Sequence, residues 1–216
     1  RMSEPAPKSA RELDARGIIR HDMGARRQAD VFRDLRTQLL AHGRGRNFIT
    51  LVAGVSAGSG ASFVAANLAA AFAFDESKTA LLIDCNLRKP VLPENGGLTD
   101  FLDHPSIGVD HVIYPTGVPR LRLIPAGERR EASGEYFTSY RMRGLVDLLR
   151  GRYPDRYLVL DAPPIGASPD ARILSELADT AVIVAGYGVD TVTAIKESVA
   201  VLEPGRLAGV VFNGVP

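Results

Sequence analysis

One cysteine, Cys85, stands in the 216 residues, so no internal disulfide can form and a reducing compartment is expected. The four histidines lie far apart, without the close spacing that a zinc or iron site needs. No apolar run approaches the roughly 20 residues that cross a bilayer. The N-terminal residues lack the apolar centre of a secretory signal, so any membrane association is expected to come through a partner. Neither charge sign prevails: 26 Lys and Arg against 25 Asp and Glu leave a formal net charge of +1. Without a basic cluster, nucleic-acid binding is not expected. No internal repeat is visible. What remains is a chain with 45% hydrophobic residues, enough for one globular domain with a real core.

Residues 1–27 are rich in Arg, Ala, Pro and Ser, with few large apolar side chains to offset ordering entropy. They are expected to form a flexible arm ahead of a domain spanning 28–216. From 28 to 41 the apolar Val31, Phe32, Leu35, Leu39 and Leu40 recur at helical spacing, and the Gly43-Arg44-Gly45 turn should end that helix. Short apolar runs follow at 48–53, 80–83, 121–124, 157–160, 181–185 and 209–212. Helical stretches at 62–74, 139–150, 169–177 and 191–202 lie among them. Continuous apolar strands separated by helices predict an α/β, doubly wound, mainly parallel sheet flanked by helices. Ligands collect at the carboxyl ends of such strands, which points to the loops after Val52, Ile83 and Leu160.

The first of these loops reads Gly54-Val55-Ser56-Ala57-Gly58-Ser59-Gly60-Ala61-Ser62 and runs straight into a helix. A glycine turn at a helix N-terminus aims backbone N–H groups at one point, which suits a phosphate. Ser62 stands where a P-loop places its Mg²⁺ ligand, but Ala61 replaces the lysine that contacts the outer phosphates. Alone, the loop is equally compatible with a plain strand-to-helix turn. Asp84 and Asp161 each end a buried run, where a carboxylate can hold Mg²⁺ or accept a proton. A single such Asp is more often a cap or a loop hydrogen-bond partner; two beside a glycine turn are harder to explain that way.

On these residues the segment from about Asp30 to Val215 resembles the cytoplasmic P-loop domain of bacterial tyrosine kinases of capsular and exopolysaccharide systems, relatives of partition and division-site ATPases. Asp84 to Arg88 resembles the family's Asp-x-Asp-x-Arg motif, and Asp161-Ala162-Pro163-Pro164 its Walker B end. Gly97 to Leu102, Ile124 to Gly127, Asp170-Ala171 and Val210 to Asn213 follow in the family's order. The resemblance implies catalytic roles for Asp84 and Asp161, with Ser62, Asp84 and Asp161 around Mg²⁺. Gly58, Ser59, Gly60, Ala61, Ser62, Phe63, Arg88 and Asn213 would meet ATP or ADP. Asp30, Arg33 and Arg36 are similar to a Glu-x-x-Arg-x-x-Arg pattern through which these kinases pack into rings, implying a homo-oligomer. The implied partner is the cytoplasmic segment of a membrane polysaccharide copolymerase, and the implied location is cytoplasmic, peripheral to the inner membrane.

The chain also departs from the family. Ala61 stands for the lysine, Asn86 for the second Asp, and Phe63 for a small hydroxyl residue. No tyrosine cluster follows Asn213; the six tyrosines are scattered at 114, 136, 140, 153, 157 and 187. These departures predict weak nucleotide binding with little preference for ATP over ADP, and a regulatory subunit with impaired ATP chemistry. An active ATP-dependent autokinase is the alternative, with Ala61 introduced or compensated. A partition-type ATPase fits less well, because those relatives carry an early loop lysine and Val55, Ser56 and Ala57 are uncharged.

Overall fold

Alternation along the strands divides the apolar side chains between two faces. In a computed structural model that describes residues 7–23, 27–43, 47–90 and 96–215, Leu51 joins one core cluster and Val52 the other. Among the described residues seven strands form one sheet: β1 (Ile49–Gly54), β2 (Thr79–Asp84), β3 (Tyr114–Pro115), β4 (Leu121–Ile124), β5 (Arg156–Ala162), β6 (Thr180–Gly186) and β7 (Leu207–Asn213). Their order is β3-β4-β2-β5-β1-β6-β7, parallel throughout except for the antiparallel β3–β4 pair. Every residue of β1 and β6 is buried, as a parallel sheet covered on both faces requires.

The covering helices are α1 (Ala10–Ala15), α2 (Arg27–Gly43), α3 (Ala61–Phe72), α4 (Leu98–Asp103), α5 (Ser133–Thr138), α6 (Tyr140–Arg152), α7 (Asp170–Ser175) and α8 (Val192–Ala200). On one face α3 lies against Val52, Val159 and Val182, and α2 packs outside it. The small side chains of Ala65, Ala69, Ala70 and Ala71 are fully buried, which lets the α3 backbone approach the strands closely. On the other face Leu145 and Leu149 of α6 and Leu174 of α7 cover Leu51, Ile83 and Leu160.

The expected strands and longer helices are present with small changes at their ends. Beyond the N-terminal segment, three short elements were not anticipated: β3, α4 and α5. Two to six residues are too few to establish a period. The helix expected to end in the 43–45 turn reaches Gly43, while Arg44 and Gly45 lie outside the described residues.

The larger departure concerns the expected arm, of which residues 1–6 and 24–26 lie outside the described residues. Helix α1 begins with a capping box, in which the Glu12 N–H donates to Ser9 Oγ and the Ser9 N–H donates to Glu12 Oε2 at 2.8 Å. Leu13 and Ile19 are buried. The Ile19 N–H donates to Asn67 Oδ1 at 2.8 Å, and Asn67 Nδ2 donates to the Phe63 carbonyl at 3.0 Å. Two apolar side chains and one buried side-chain acceptor therefore fix to α3 a segment whose composition reads as arm.

Candidate functional site

The glycine-rich loop leaves β1 at Gly54, where a Cβ would come within 2.2 Å of Ser59 Oγ. Ser59 is buried, and its hydroxyl donates to the Ser56 carbonyl at 2.9 Å. Gly60 is the N-cap of α3 at φ +87°, in the left-handed region that favours glycine. A Cβ there would also meet Asn213 Nδ2 at 2.0 Å. That Nδ2 donates to the Ser59 carbonyl at 3.1 Å, so Asn213 at the end of β7 clamps the loop from outside. A second clamp was not read from the sequence. The Ser56 hydroxyl donates to Asp190, whose Oδ2 accepts the Gly186 N–H at 2.7 Å. An aspartate in a Gly-Tyr-Gly-Val-Asp turn carries no signal that it closes on a loop 134 residues away.

Ala61 is the first residue of α3 and Ser62 the second. The Ser62 hydroxyl hydrogen-bonds the Asp161 carboxylate. Asp84 and Asp161 are register partners on adjacent strands β2 and β5, and the Cys85 N–H donates to the Asp161 carbonyl at 2.9 Å. Asp84 Oδ1 accepts the Asn86 N–H at 2.9 Å, so the residue in place of a second aspartate serves the first through its backbone. Burial pushes the Asp161 carboxyl up to about 7, and the neighbouring Asp84 charge adds to the rise against the Ser62 hydrogen bond. Asp161 Oδ1 is buried without a hydrogen-bond partner. Such an atom fits a divalent cation, which would satisfy it and remove the repulsion between the two carboxylates. Among the described residues no group of three or more His, Cys, Asp or Glu could hold a metal ion. Two carboxylates and a hydroxyl suit Mg²⁺ that keeps waters and takes phosphate oxygens.

The remaining predicted residues separate. Phe63 does not offer its side chain to a phosphate: its ring packs edge-on to Phe32 at 6.0 Å and lies beneath Gly17. Arg88 turns away from the carboxylates; its Nε donates to Ser133 Oγ at 3.0 Å and lies 3.5 Å from Asp170 Oδ2. The stretches at 97–102 and 124–127 pack on each other, with the Leu98 and Thr99 N–H groups donating to Pro125 and Ala126 carbonyls. On α2, Asp30 pairs with Arg33 at 2.9 Å, whereas Arg36 donates to the Ala71 carbonyl at 3.1 Å, near the end of α3.

Two cavities border this region. The larger, about 730 Å³, is an apolar groove between α2, α3 and β7 that reaches neither carboxylate. The smaller, about 310 Å³, is lined largely by apolar side chains, Leu13, Ile18, Phe63, Leu82 and Leu123 among them, with Ser62, Asp84 and Asp161 and, from the N-terminal segment, Lys8 and Arg16 also on it. Of the two, the smaller is the one that both carboxylates and Ser62 line.

No protein-family model matches the chain. The tyrosine-protein kinase wzc of Salmonella typhimurium is 32% identical over 195 residues, 86% of this chain but 27% of that relative. The chain thus spans about a quarter of that protein's length. CapB of Staphylococcus aureus is 26% identical over 205 residues, covering 91% of this chain and 88% of CapB. Among solved structures, the kinase domain of Escherichia coli tyrosine kinase ETK superposes with a TM-score of 0.79 at 26% identity, over 98% of this chain and 89% of that one. A Pyrococcus horikoshii septum site-determining protein MinD, complexed with Mg-ADP, shares the fold, with a TM-score of 0.58 and 22% identity over 76% of this chain and 68% of that one.

Proposed function

The chain belongs to the bacterial tyrosine-kinase family of capsule and exopolysaccharide systems, and from that premise we propose that it is a kinase-like subunit regulating polysaccharide polymerisation and export, with impaired ATP chemistry. The observation that carries this reading is Ala61, a methyl group between Gly60 and Ser62 where the phosphate-binding loop needs an ammonium. The parts that position phosphate through main chain remain: the left-handed Gly60, the clamp from Asn213 and the N-terminus of α3. Ser62 and Asp161 would hold Mg²⁺ beside Asp84, and the ion would neutralise charge on the outer phosphates. Losing one charged hydrogen bond costs about 1.5–3 kcal/mol, and more as charge builds on a transferred group. Nucleotide binding therefore survives in weakened form, and transfer is lost.

The partners proposed with this reading are further copies of the chain and the cytoplasmic segment of a membrane copolymerase. Among the described residues no helix is long and apolar enough to cross a membrane, so attachment would run through that partner. Of the three residues of the charged pattern on α2, Asp30 and Arg33 are the ones proposed to meet a neighbour, since Arg36 serves α3.

One observation favours the second reading, an active autokinase. Asp161 titrates near neutrality beside an intact Ser62 and Asp84, as a proton acceptor in phosphoryl transfer would. Calorimetric titration with MgATP and MgADP, on this chain and on Ala61→Lys, together with a radiolabelled ATP assay, separates the two. The regulatory reading expects weak binding, tightening of MgATP in the variant and no phosphotyrosine. Phosphotyrosine on the unmodified chain would establish the autokinase.

A further inference from the structure

We propose that the N-terminal segment supplies, through Lys8 and Arg16, the cationic contact to the terminal phosphate of a nucleoside triphosphate that the loop lacks at Ala61. This inference rests on the reading of the small cavity as a nucleotide site and adds the source of its positive charge. Lys8 and Arg16 line the same cavity as Ser62, Asp84 and Asp161. The cavity is about 310 Å³, so charges on its walls share one small volume.

Both residues are held in place. Lys8 is backed by the turn between β3 and β4, where Gly117 sits at φ +96° and a Cβ would come within 2.1 Å of the Lys8 carbonyl. Arg16 is the C-cap of α1, and its N–H donates to the Leu13 carbonyl at 3.1 Å. Just beyond it, Gly17 at φ +64° rests on the Phe63 ring, 3.0 Å from where a Cβ would be. The Gly17 carbonyl accepts from Gln28 Nε2 at 2.6 Å, and Ile19 is tied to Asn67. Phe63 thus anchors the segment that carries the cations, two positions after the residue that lost one. The two departures in the loop become one arrangement.

Glu12 offsets these charges only in part, and a phosphate chain would complete the balance. Among the described residues neither Lys8 nor Arg16 forms a salt bridge. Burial holds the Lys8 ammonium below its usual range and the Arg16 charge lowers it further, with Glu12 opposing. Two like charges meeting at one cavity are costly unless an anion lies between them. The two carboxylates on the same cavity call for a cation. A phosphate bound with Mg²⁺ would answer both sets of charge. The expectation of little preference for ATP considered the loop alone; with these two residues the additional phosphate has a partner.

The test is calorimetric titration of the full chain with MgATP and MgADP, comparing wild type, Lys8→Ala/Arg16→Ala, the same pair with Ala61→Lys, and Arg11→Ala as an exposed control on α1. The proposal expects the double variant to bind MgATP about 10-fold more weakly, with MgADP changing less than about 3-fold, the loss of one charged contact. Ala61→Lys should restore MgATP binding to the double variant, and Arg11→Ala should match wild type. Unchanged MgATP affinity in the double variant overturns this inference and leaves the nucleotide-site reading standing. An equal loss for both nucleotides also overturns it, because that marks general electrostatics. Wild type that binds neither nucleotide overturns the site reading and this inference together.

Discussion

Replacing Asp161 with asparagine should stabilise the metal-free protein, by an amount that grows with pH. Asp161 is 6% exposed, and its carboxyl is raised from 3.8 to about 7, chiefly by burial and then by the Asp84 charge. A folded-state value above the unfolded one means that the fold disfavours the ionised form. The cost is absent below about pH 4, accumulates between about 4 and 7, and is constant above. Linkage between these two values gives about 2 kcal/mol at pH 5 and about 4 kcal/mol at pH 8. Asparagine carries no charge and can still bond the Ser62 hydroxyl, so the variant escapes the cost. In a protein of this size each kcal/mol moves Tm by about 2–4 °C, so the variant should melt about 4–8 °C above wild type at pH 5 and about 8–16 °C above it at pH 8. Thermal unfolding followed by circular dichroism in a chelating buffer measures the gap. Saturating MgADP should narrow it, because the ion favours the ionised Asp161 of wild type. A gap that is equal at pH 5 and pH 8, or a variant less stable than wild type at pH 8, would refute the assignment of an unsatisfied buried carboxylate.

Cys85 is buried, and burial with the Asp84 and Asp161 charges pushes its thiol well above the usual range. It should resist a thiol reagent at pH 8 until denaturant is added, with free-thiol rates in the native protein as the contrary result. Gly117→Ala sets a Cβ against the Lys8 carbonyl at a left-handed φ and should cost about 1–3 kcal/mol in urea unfolding, with faster proteolysis before α1. Asn213→Ala removes the bond to Ser59 and should weaken MgADP binding by about 10-fold in calorimetry, the worth of roughly one hydrogen bond. Arg33→Glu should shift self-association toward monomer in sedimentation velocity. Arg36→Ala should instead lower stability by about 1 kcal/mol, since its guanidinium bonds the Ala71 carbonyl.

The parallel sheet was legible because its signal is redundant. Six apolar runs, most of them separated by helical stretches, leave little freedom in a right-handed α/β arrangement. The capping box Ser9-Ala10-Arg11-Glu12 was equally open to reading, and composition hid it. A segment judged by how few large apolar residues it holds is judged wrongly when two of them, Leu13 and Ile19, fall into a preformed cleft beside α3. Disorder arguments count the surface a segment can bury by itself, whereas a docked segment uses surface its partner supplies. The missed β3 and α4 have the same cause. Two residues of strand and a short helix exist because Leu123 and the Pro125 and Ala126 carbonyls are already in place to receive them.

At the site, strand-end reasoning located Asp84 and Asp161 because register on a parallel sheet is set by the strands themselves. It could not assign Arg88 or Phe63, whose side-chain directions depend on neighbours distant in sequence. Arg88 follows Asp84 by four residues yet faces Ser133 and Asp170, and Phe63 follows Ser62 yet faces Gly17 and Phe32. A loop motif read position by position treats each departure as a separate loss. In three dimensions the alanine at 61 and the phenylalanine at 63 have different consequences: one leaves the loop without a charge, and the other secures a segment that carries two charges to the cavity lined by Ser62, Asp84 and Asp161. The proposed contact joins residues ahead of the resemblance to those within it, and a loop judged alone leaves out the positive charge that Lys8 and Arg16 bring to the cavity.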